Sequence, residues 1–471
     1  MSARRDVPRP RRGCEGRVAL ALVVAFLAPP GCGGAPVPGP RPDVLLVTVD
    51  TLRADYLGTY GFGLGTSPRI DAFASGAVVF ERAIAASSAT APSHASIFSS
   101  RYTRQHSIGY GNGDTRLEDV PTLAEVFRQA GYATGAFVGN AVLHRRIGLD
   151  RGFDVYDDEF ATPEINRGFL YERIAEETVG RALGWLREVE GEAVFLWVHV
   201  QDPHGPYAAP GAYRGRFRVP PAPGEKPLPV LEDNSGRSGI PAYQALRDVS
   251  LPSVYRSRYA DEIFYADRWI GELIDAVEAR ASDAGNVVLL TADHGESLGE
   301  AGRFFVHAAT TPEVALIPMI LRAPGLAPAR RREIVHHVDV MPTLLDLAGL
   351  DAPPGTRGVA LASVLRGQTP LPARLVYCDI GAELSAYGGE GFVRVGAADG
   401  AWKVRDGGEA APPYWVRYAW RADGSWAPER EGGGLADEVE QYLREALPMA
   451  TTAPLGSDEV ERLRALGYVE P

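Results

Sequence analysis

Five short apolar runs constrain this chain more than any other feature: DVLLVTV from Asp43, TGAFVGN from Thr134, AVFLWVHV from Ala193, NVVLLTA from Asn286 and ALIPMIL from Ala315. They are rich in β-branched residues and lack the alternation of a half-exposed strand, so each reads as a strand buried on both faces. Amphipathic stretches lie between them, among them VPTLAEVFRQAG, TVGRALGWLREVEG and DRWIGELIDAVEARAS, each ending at Gly or a polar break. Strands alternating with helices specify an α/β fold, a large and mostly parallel mixed sheet sandwiched between helices. Ligands of such sheets bind beyond the carboxyl ends of the strands.

Two of the runs end in acids. The first runs into Asp50, and the fourth into Asp293-His294-Gly295-Glu296. Hard carboxylates suit Ca²⁺, Mg²⁺ or Mn²⁺, and an added imidazole moves the preference toward Mn²⁺ or Zn²⁺. Between them lies Thr90-Ala91-Pro92-Ser93-His94-Ala95-Ser96. Pro92 favours the first turn of a helix there, which puts the Thr90 hydroxyl at a positive helix N-terminus, where anions bind. A bound cation can lower the hydroxyl pKa and make it a nucleophile; the alternative for Thr90 is a plain helix N-cap. Together these residues read as a metal-activated nucleophile that cleaves sulfate or phosphate esters, with Ser93 as the competing hydroxyl.

The histidines supply the remaining chemistry. His204, in Asp202-Pro203-His204-Gly205-Pro206-Tyr207, and His307 can hold an ester oxygen or protonate a leaving group. His94 can steady the anion beside Thr90. His199, inside a strand, is either a core histidine or a site group. His144, His336 and His337 read as structural, and Arg101 and His106 as weaker candidates.

The chain has 471 residues and a net charge of -12. Six arginines precede the apolar run Val18–Ala28, which is short for a membrane span and reads as a signal segment over residues 1–31. Removing it takes six Arg and two acids, and the charge falls from -12 to -16. So acidic a protein argues against a nucleic-acid partner. Gly31-Cys32-Gly33-Gly34 makes Cys32 a candidate lipid anchor, with an ordinary secretory signal as the alternative; either reading makes the protein exported, periplasmic or at the cell surface. Residues 32–42 form a Pro/Gly-rich linker, 43–350 a catalytic domain, and 351–471 a small antiparallel sheet subdomain and tail. Tyr207 to Ser257 is a Pro-, Gly- and Arg-rich insertion, a candidate substrate-selecting loop. Cys378 reads as an inert buried thiol.

At these residues the chain resembles the sulfatase family within the alkaline phosphatase superfamily. The blocks that carry the resemblance run in order from Asp43 to Leu350: DVLLVTVDTLRADYLGTYG, TAPSHASIFSSRY, AGYATGAFVGN, LDRGFDVYDD, HVQDPHGPY, YADEIFYAD, TADHGESLGEAG and HHVDVMPTLLDLAGL. The resemblance implies exported esterases holding one divalent cation, Ca²⁺ first. By position it implies Asp50, Asp293 and His294 as metal ligands, Thr90 as nucleophile and further ligand, and His204 and His307 on the substrate side. Thr90 departs from the family pattern, which has a Cys or Ser oxidised to formylglycine, an aldehyde that Thr cannot form. His94 replaces the family's Arg, Thr51 a second Asp, and the Val138-Gly139-Asn140 segment lacks the usual Lys. These changes drift toward Thr-nucleophile relatives such as phosphoethanolamine and lipoteichoic-acid transferases, whose membrane helices this chain lacks. Three functions follow: a metal-dependent sulfate or phosphate ester hydrolase, a phosphodiesterase or phosphotransferase on envelope lipids or glycans, and an inactive glycan-binding protein.

Overall fold

The computed structural model describes residues 41–396 with short breaks at 107, 110–115, 118, 169, 281–283, 382 and 390, the strands at 414–420 and 426–431, and residues 439, 441 and 442. The signal segment, Cys32, nearly all of the linker, AWKVRDG and the C-terminal tail lie outside the described residues.

Eight strands form the main sheet: β1 (Asp43–Val49), β2 (Val78–Ile84), β3 (Ala133–Val138), β4 (Val155–Asp157), β5 (Val194–Val200), β6 (Asn286–Ala292), β7 (Leu316–Arg322) and β8 (Ala329–His336). Their order is β8-β2-β7-β6-β1-β5-β3-β4. Only β7 runs against its neighbours; the other pairings are parallel. All seven residues of β1 and of β5 are buried, as continuous apolar runs require when helices cover both faces. On one face α4 (Ala175–Glu188) and α1 (Pro68–Ser75) pack on the long α5 (Pro252–Glu278). On the other, α2 (Thr90–Ser99) packs with α3 (Leu123–Gln129) and α6 (Val340–Leu347). Fully burying a side chain such as Phe195 or Leu46 contributes about 1.5–3 kcal/mol.

All five apolar runs are strands. The sequence reading passed over β2 and β8, and it placed the start of α5 at Asp267, whereas that helix begins fifteen residues earlier at Pro252. The insertion therefore ends at Leu251, its last residues being the first turns of α5. A second sheet, β9 (Val376–Asp379), β10 (Glu383–Gly388), β11 (Gly391–Gly396), β12 (Tyr414–Trp420) and β13 (Trp426–Glu431), is an antiparallel meander. Val376, Cys378, Tyr387 and Phe392 of this sheet pack with Ile84, Ala315 and Ile334 of the main sheet region, while Tyr377, Leu384 and Ala386 pack with Val439 and Tyr442. Cys378 is buried, and burial pushes its thiol up.

Register places the site. Val49 stands opposite Ala292 of β6 and Val200 of β5, so Asp50, Asp293 and Gln201 emerge side by side. Val138 of β3 lies opposite His199, which brings Asn140 to the same edge.

Candidate metal-dependent active site

Asp50 and Asp293 are buried at the carboxyl edge of the sheet, and His294 follows at once. One donor atom from each of the three lies within 4.8 Å of the others. Asp50 Oδ1, Asp293 Oδ2 and His294 Nε2 are buried with no hydrogen-bond partner. Their second atoms are occupied. Asp293 Oδ1 accepts the backbone N–H of His294 at 2.7 Å and of Thr51 at 3.2 Å. His294 Nδ1 donates to the Gly295 carbonyl at 3.0 Å, so its Nε2 lone pair faces the two carboxylates. A lone pair and two acids converging in a buried site form a group that could hold a cation. Burial, then the charge of Asp50, pushes Asp293 well above the carboxylate range, which a bound cation reverses.

Backbone constraints hold this geometry. Thr51 sits at φ 52, a conformation that costs a non-glycine residue energy. Its carbonyl accepts from Tyr259 Oη at 2.6 Å, and that oxygen accepts the Arg53 N–H at 3.0 Å. The twist aims the Thr51 N–H at Asp293. At Gly295 a Cβ would lie 2.4 Å from the Glu313 carbonyl oxygen, so only glycine lets the Asp-His turn pass there.

Thr90 is the first residue of α2, and its cap is Ala89, with no side-chain cap bond. The Thr90 hydroxyl is thus not spent on capping. It lies 3.5 Å from Asp50 Oδ2 at the edge of the metal group. Ser93 does not compete, since its hydroxyl donates to the Ser87 carbonyl at 2.9 Å. His94 stands behind Thr90 and not on the anion's side: Nδ1 donates to the Thr90 carbonyl at 2.7 Å, and Nε2 bonds the Thr48 hydroxyl at 2.9 Å. Thr48 also accepts from Trp197 Nε1 and contacts His199 Nδ1, both at 3.0 Å.

His204 and His307 close the opposite side. Their rings meet edge to face at 5.8 Å, and His307 stacks on His294 at 4.4 Å. Nδ1 of each is buried without a partner. Burial lowers His204 to about 4 and His307 well below the usual imidazole value.

Two further side chains reach Asp50: Asn140, not singled out from sequence, and His199, left there between core and site. Asn140 Nδ2 donates to Asp50 Oδ2 at 3.1 Å, and His199 Nε2 lies 3.5 Å from the same oxygen. The signal for Asn140 was its place directly after a buried strand. The other candidates sit elsewhere. His336 and His337 bond backbone carbonyls of Tyr377 and Ala292, His106 bonds Ser96, Arg101 bonds the Pro354 carbonyl, and His144 lies beside Asp158. Among the described residues no helix is long and apolar enough to cross a membrane.

The family model described as Sulfatase matches residues 42–350. The chain is 27% identical to the Delta 4,5-hexuronate-2-O-sulfatase of Bacteroides thetaiotaomicron over 369 residues, covering 72% of this chain and 74% of that protein. It is likewise 27% identical to the choline-sulfatase of Rhizobium meliloti over 374 residues, 69% and 72% of the two chains. Among solved structures, the phosphonate monoester hydrolase of Silicibacter pomeroyi superposes with a TM-score of 0.61 at 20% identity, over 82% of this chain and 90% of that one.

Proposed function

The chain belongs to the sulfatase family, and from that premise we propose that it is an exported, divalent-metal-dependent hydrolase of sulfate or phosphate esters with Thr90 as its nucleophile. The observation that carries this reading is the convergence of three unpartnered buried donors, Asp50 Oδ1, Asp293 Oδ2 and His294 Nε2, beside the free end of a helix that begins with Thr90. The donor set of two carboxylates, an imidazole and a hydroxyl favours Mn²⁺ or Zn²⁺ over the Ca²⁺ implied by resemblance. A bound cation neutralises the ester oxygens and lowers the pKa of the Thr90 hydroxyl.

The chain's own residues do the rest. First-turn amides of α2 face the anion. Thr90 Oγ1, its proton released to solvent, attacks sulfur or phosphorus, the ester's bond to the alcohol oxygen breaks, and His204 or His307, protonated once the anion is bound, delivers a proton to that oxygen. Burial holds both imidazoles neutral at pH 7, and an entering anion raises their proton affinity. Water then gives a proton back to that imidazole, attacks the same central atom and releases Thr90. His94 fixes the Thr90 carbonyl, and so the first turn of α2.

Threonine decides between the two ester classes only by chemistry. A formylglycine hydrate expels sulfate by C–O cleavage, whereas a Thr ester must be cleared by attack at the central atom. Phosphoryl enzymes handle that route readily, so transfer of a phosphoryl group to water or to an acceptor alcohol is the second reading. Aryl sulfate, aryl phosphate and aryl phosphodiester, each assayed with Ca²⁺, Mg²⁺, Mn²⁺ and Zn²⁺ on wild type and Thr90→Ala, separate the classes. Sulfated-glycan binding without turnover of any ester would leave a glycan-binding protein. Export and acylation at Cys32 rest on the basic and apolar leader, and mass spectrometry of the native N-terminus tests both.

A further inference from the structure

Beyond His204 and Asn140 the active site continues into a small polar pocket whose other walls include Glu164, Arg167, Glu172 and Gln201. It has room for a group about the size of one water molecule. Glu164 is 4% and Gln201 5% exposed, and Glu164 Oε1 and Gln201 Oε1 have no hydrogen-bond partner. Glu164 Oε2 is taken by Arg167 Nε at 2.7 Å, and Gln201 Nε2 reaches Glu172 Oε2 at 3.5 Å. The guanidinium of Arg167 also lies 4.4 Å over the Tyr243 ring. The residue pairing of Asn140 with Glu172 across a β-bridge fixes the carboxyl beside the site.

Two buried acceptors of these walls, Glu164 Oε1 and Gln201 Oε1, are therefore left for a donor from outside. Arg167 balances Glu164, and Glu172 adds a second carboxyl that a cation can hold ionised. Three acceptors, Glu164 Oε1, Gln201 Oε1 and the Glu172 carboxyl, surround a space one small group wide. A primary ammonium is that size, carries one positive charge and offers three N–H donors. We propose that this pocket is the leaving-group subsite of the enzyme and that it selects alcohols bearing a primary ammonium. Burial, followed by the charges of Glu164 and Asp202, pushes the Glu172 carboxyl up to about 8, and a cation in the pocket restores its ionised form. The inference rests on the ester-hydrolase reading, because it names the alcohol that site releases.

The test uses the full chain with saturating Mn²⁺ at pH 8. The substrates are sulfate and phosphate esters of ω-aminoalkyl alcohols of two to five carbons, each paired with the n-alkyl ester in which methyl replaces the ammonium. Glucosamine 6-sulfate paired with glucose 6-sulfate forms a second arm. We expect kcat/KM to favour the amine by about tenfold or more in at least one pair, and that ratio to collapse toward one in Glu172→Gln and in Glu164→Gln. A gain in the alkyl series assigns an open-chain amine, and a gain in the sugar pair alone assigns an amino sugar. Calorimetric titration with the aminoalkyl alcohols runs beside the assays. If no ester is turned over yet the amines bind wild type and not Glu172→Gln, the hydrolase reading fails and the ammonium pocket stands. Turnover without preference in every pair overturns the subsite while leaving the hydrolase intact. So does a preference that survives both substitutions.

Discussion

At Asp50 the two carboxylate oxygens have separate tasks. Oδ1 faces Asp293 and His294, while Oδ2 takes the Asn140 amide at 3.1 Å and has His199 beside it. Groups that orient a ligand in this way typically contribute 10–100-fold in metal affinity or activity. Asn140→Ala should therefore weaken Mn²⁺ binding by about tenfold or more without lowering the melting temperature by more than a few degrees, as titration calorimetry and thermal unfolding would show. Unchanged affinity would make Asn140 a bystander. Asp50, Thr90, Asp293 and His294 were picked out from sequence because two strand-end acids, an adjoining histidine and a hydroxyl at a helix start combine into one constellation, although each acid or hydroxyl alone could be a cap. Asn140 was not, because an asparagine after a strand is an ordinary cap. It is also a cap here, since its Oδ1 accepts the Val142 N–H at 2.8 Å. His199 was ambiguous for a like reason: Nδ1 is satisfied by Thr48 inside the sheet, and only Nε2 turns toward the site.

Among the elements, register does what no single residue could. Parallel neighbours in step at Val49, Ala292 and Val200 end together, so the turns after β1 and β6 must share one small volume. Gly295 makes this fit, with no space for a Cβ against Glu313. Gly295→Ala should cost about 1–3 kcal/mol in stability through the forced backbone shift and lower Mn²⁺ affinity more than Asn140→Ala does. Urea unfolding and calorimetry on the same sample check both, and wild-type affinity in the variant would mean that the turn has slack. Buried strands announced themselves as apolar runs. Strand β2 carries Glu81 and Arg82 in its middle, and β8 at the sheet's edge opens with Ala-Arg-Arg-Arg-Glu, so neither passes a test built on continuous hydrophobicity. The first turns of α5 were hidden among arginines and serines, although Tyr255, Tyr259 and Ile263 recur at helical spacing and are buried.

For the molecule as a whole, the α/β class followed from periodicity, but the joining of the second sheet to the first did not, because the cluster that unites Ile84 with Tyr387 brings together residues about three hundred positions apart. The fold also buries imidazoles away from the site, and this gives its stability a pH signature. His106, held by Ser96 and the Ile108 N–H, is lowered to about 3 by burial. Its ordinary value is near 6.5, so between those limits the unfolded chain binds the proton and the folded one does not. Its contribution is full above pH 6.5 and is lost on acidification by about 1.4 kcal/mol per pH unit. His106→Gln should thus be less stable than wild type at pH 7.5, with the gap closing as pH falls toward 4; a gap independent of pH in urea titrations would contradict this. The central claim, that Thr90 carries the transferred group, is tested most directly by acid-quenching the metal-loaded full chain during turnover and mapping its peptides by mass. The account predicts one sulfuryl or phosphoryl group on Thr90, absent when metal is withheld and absent in Thr90→Ala. An unmodified Thr90 in an actively turning-over enzyme, or undiminished turnover in Thr90→Ala, would contradict it.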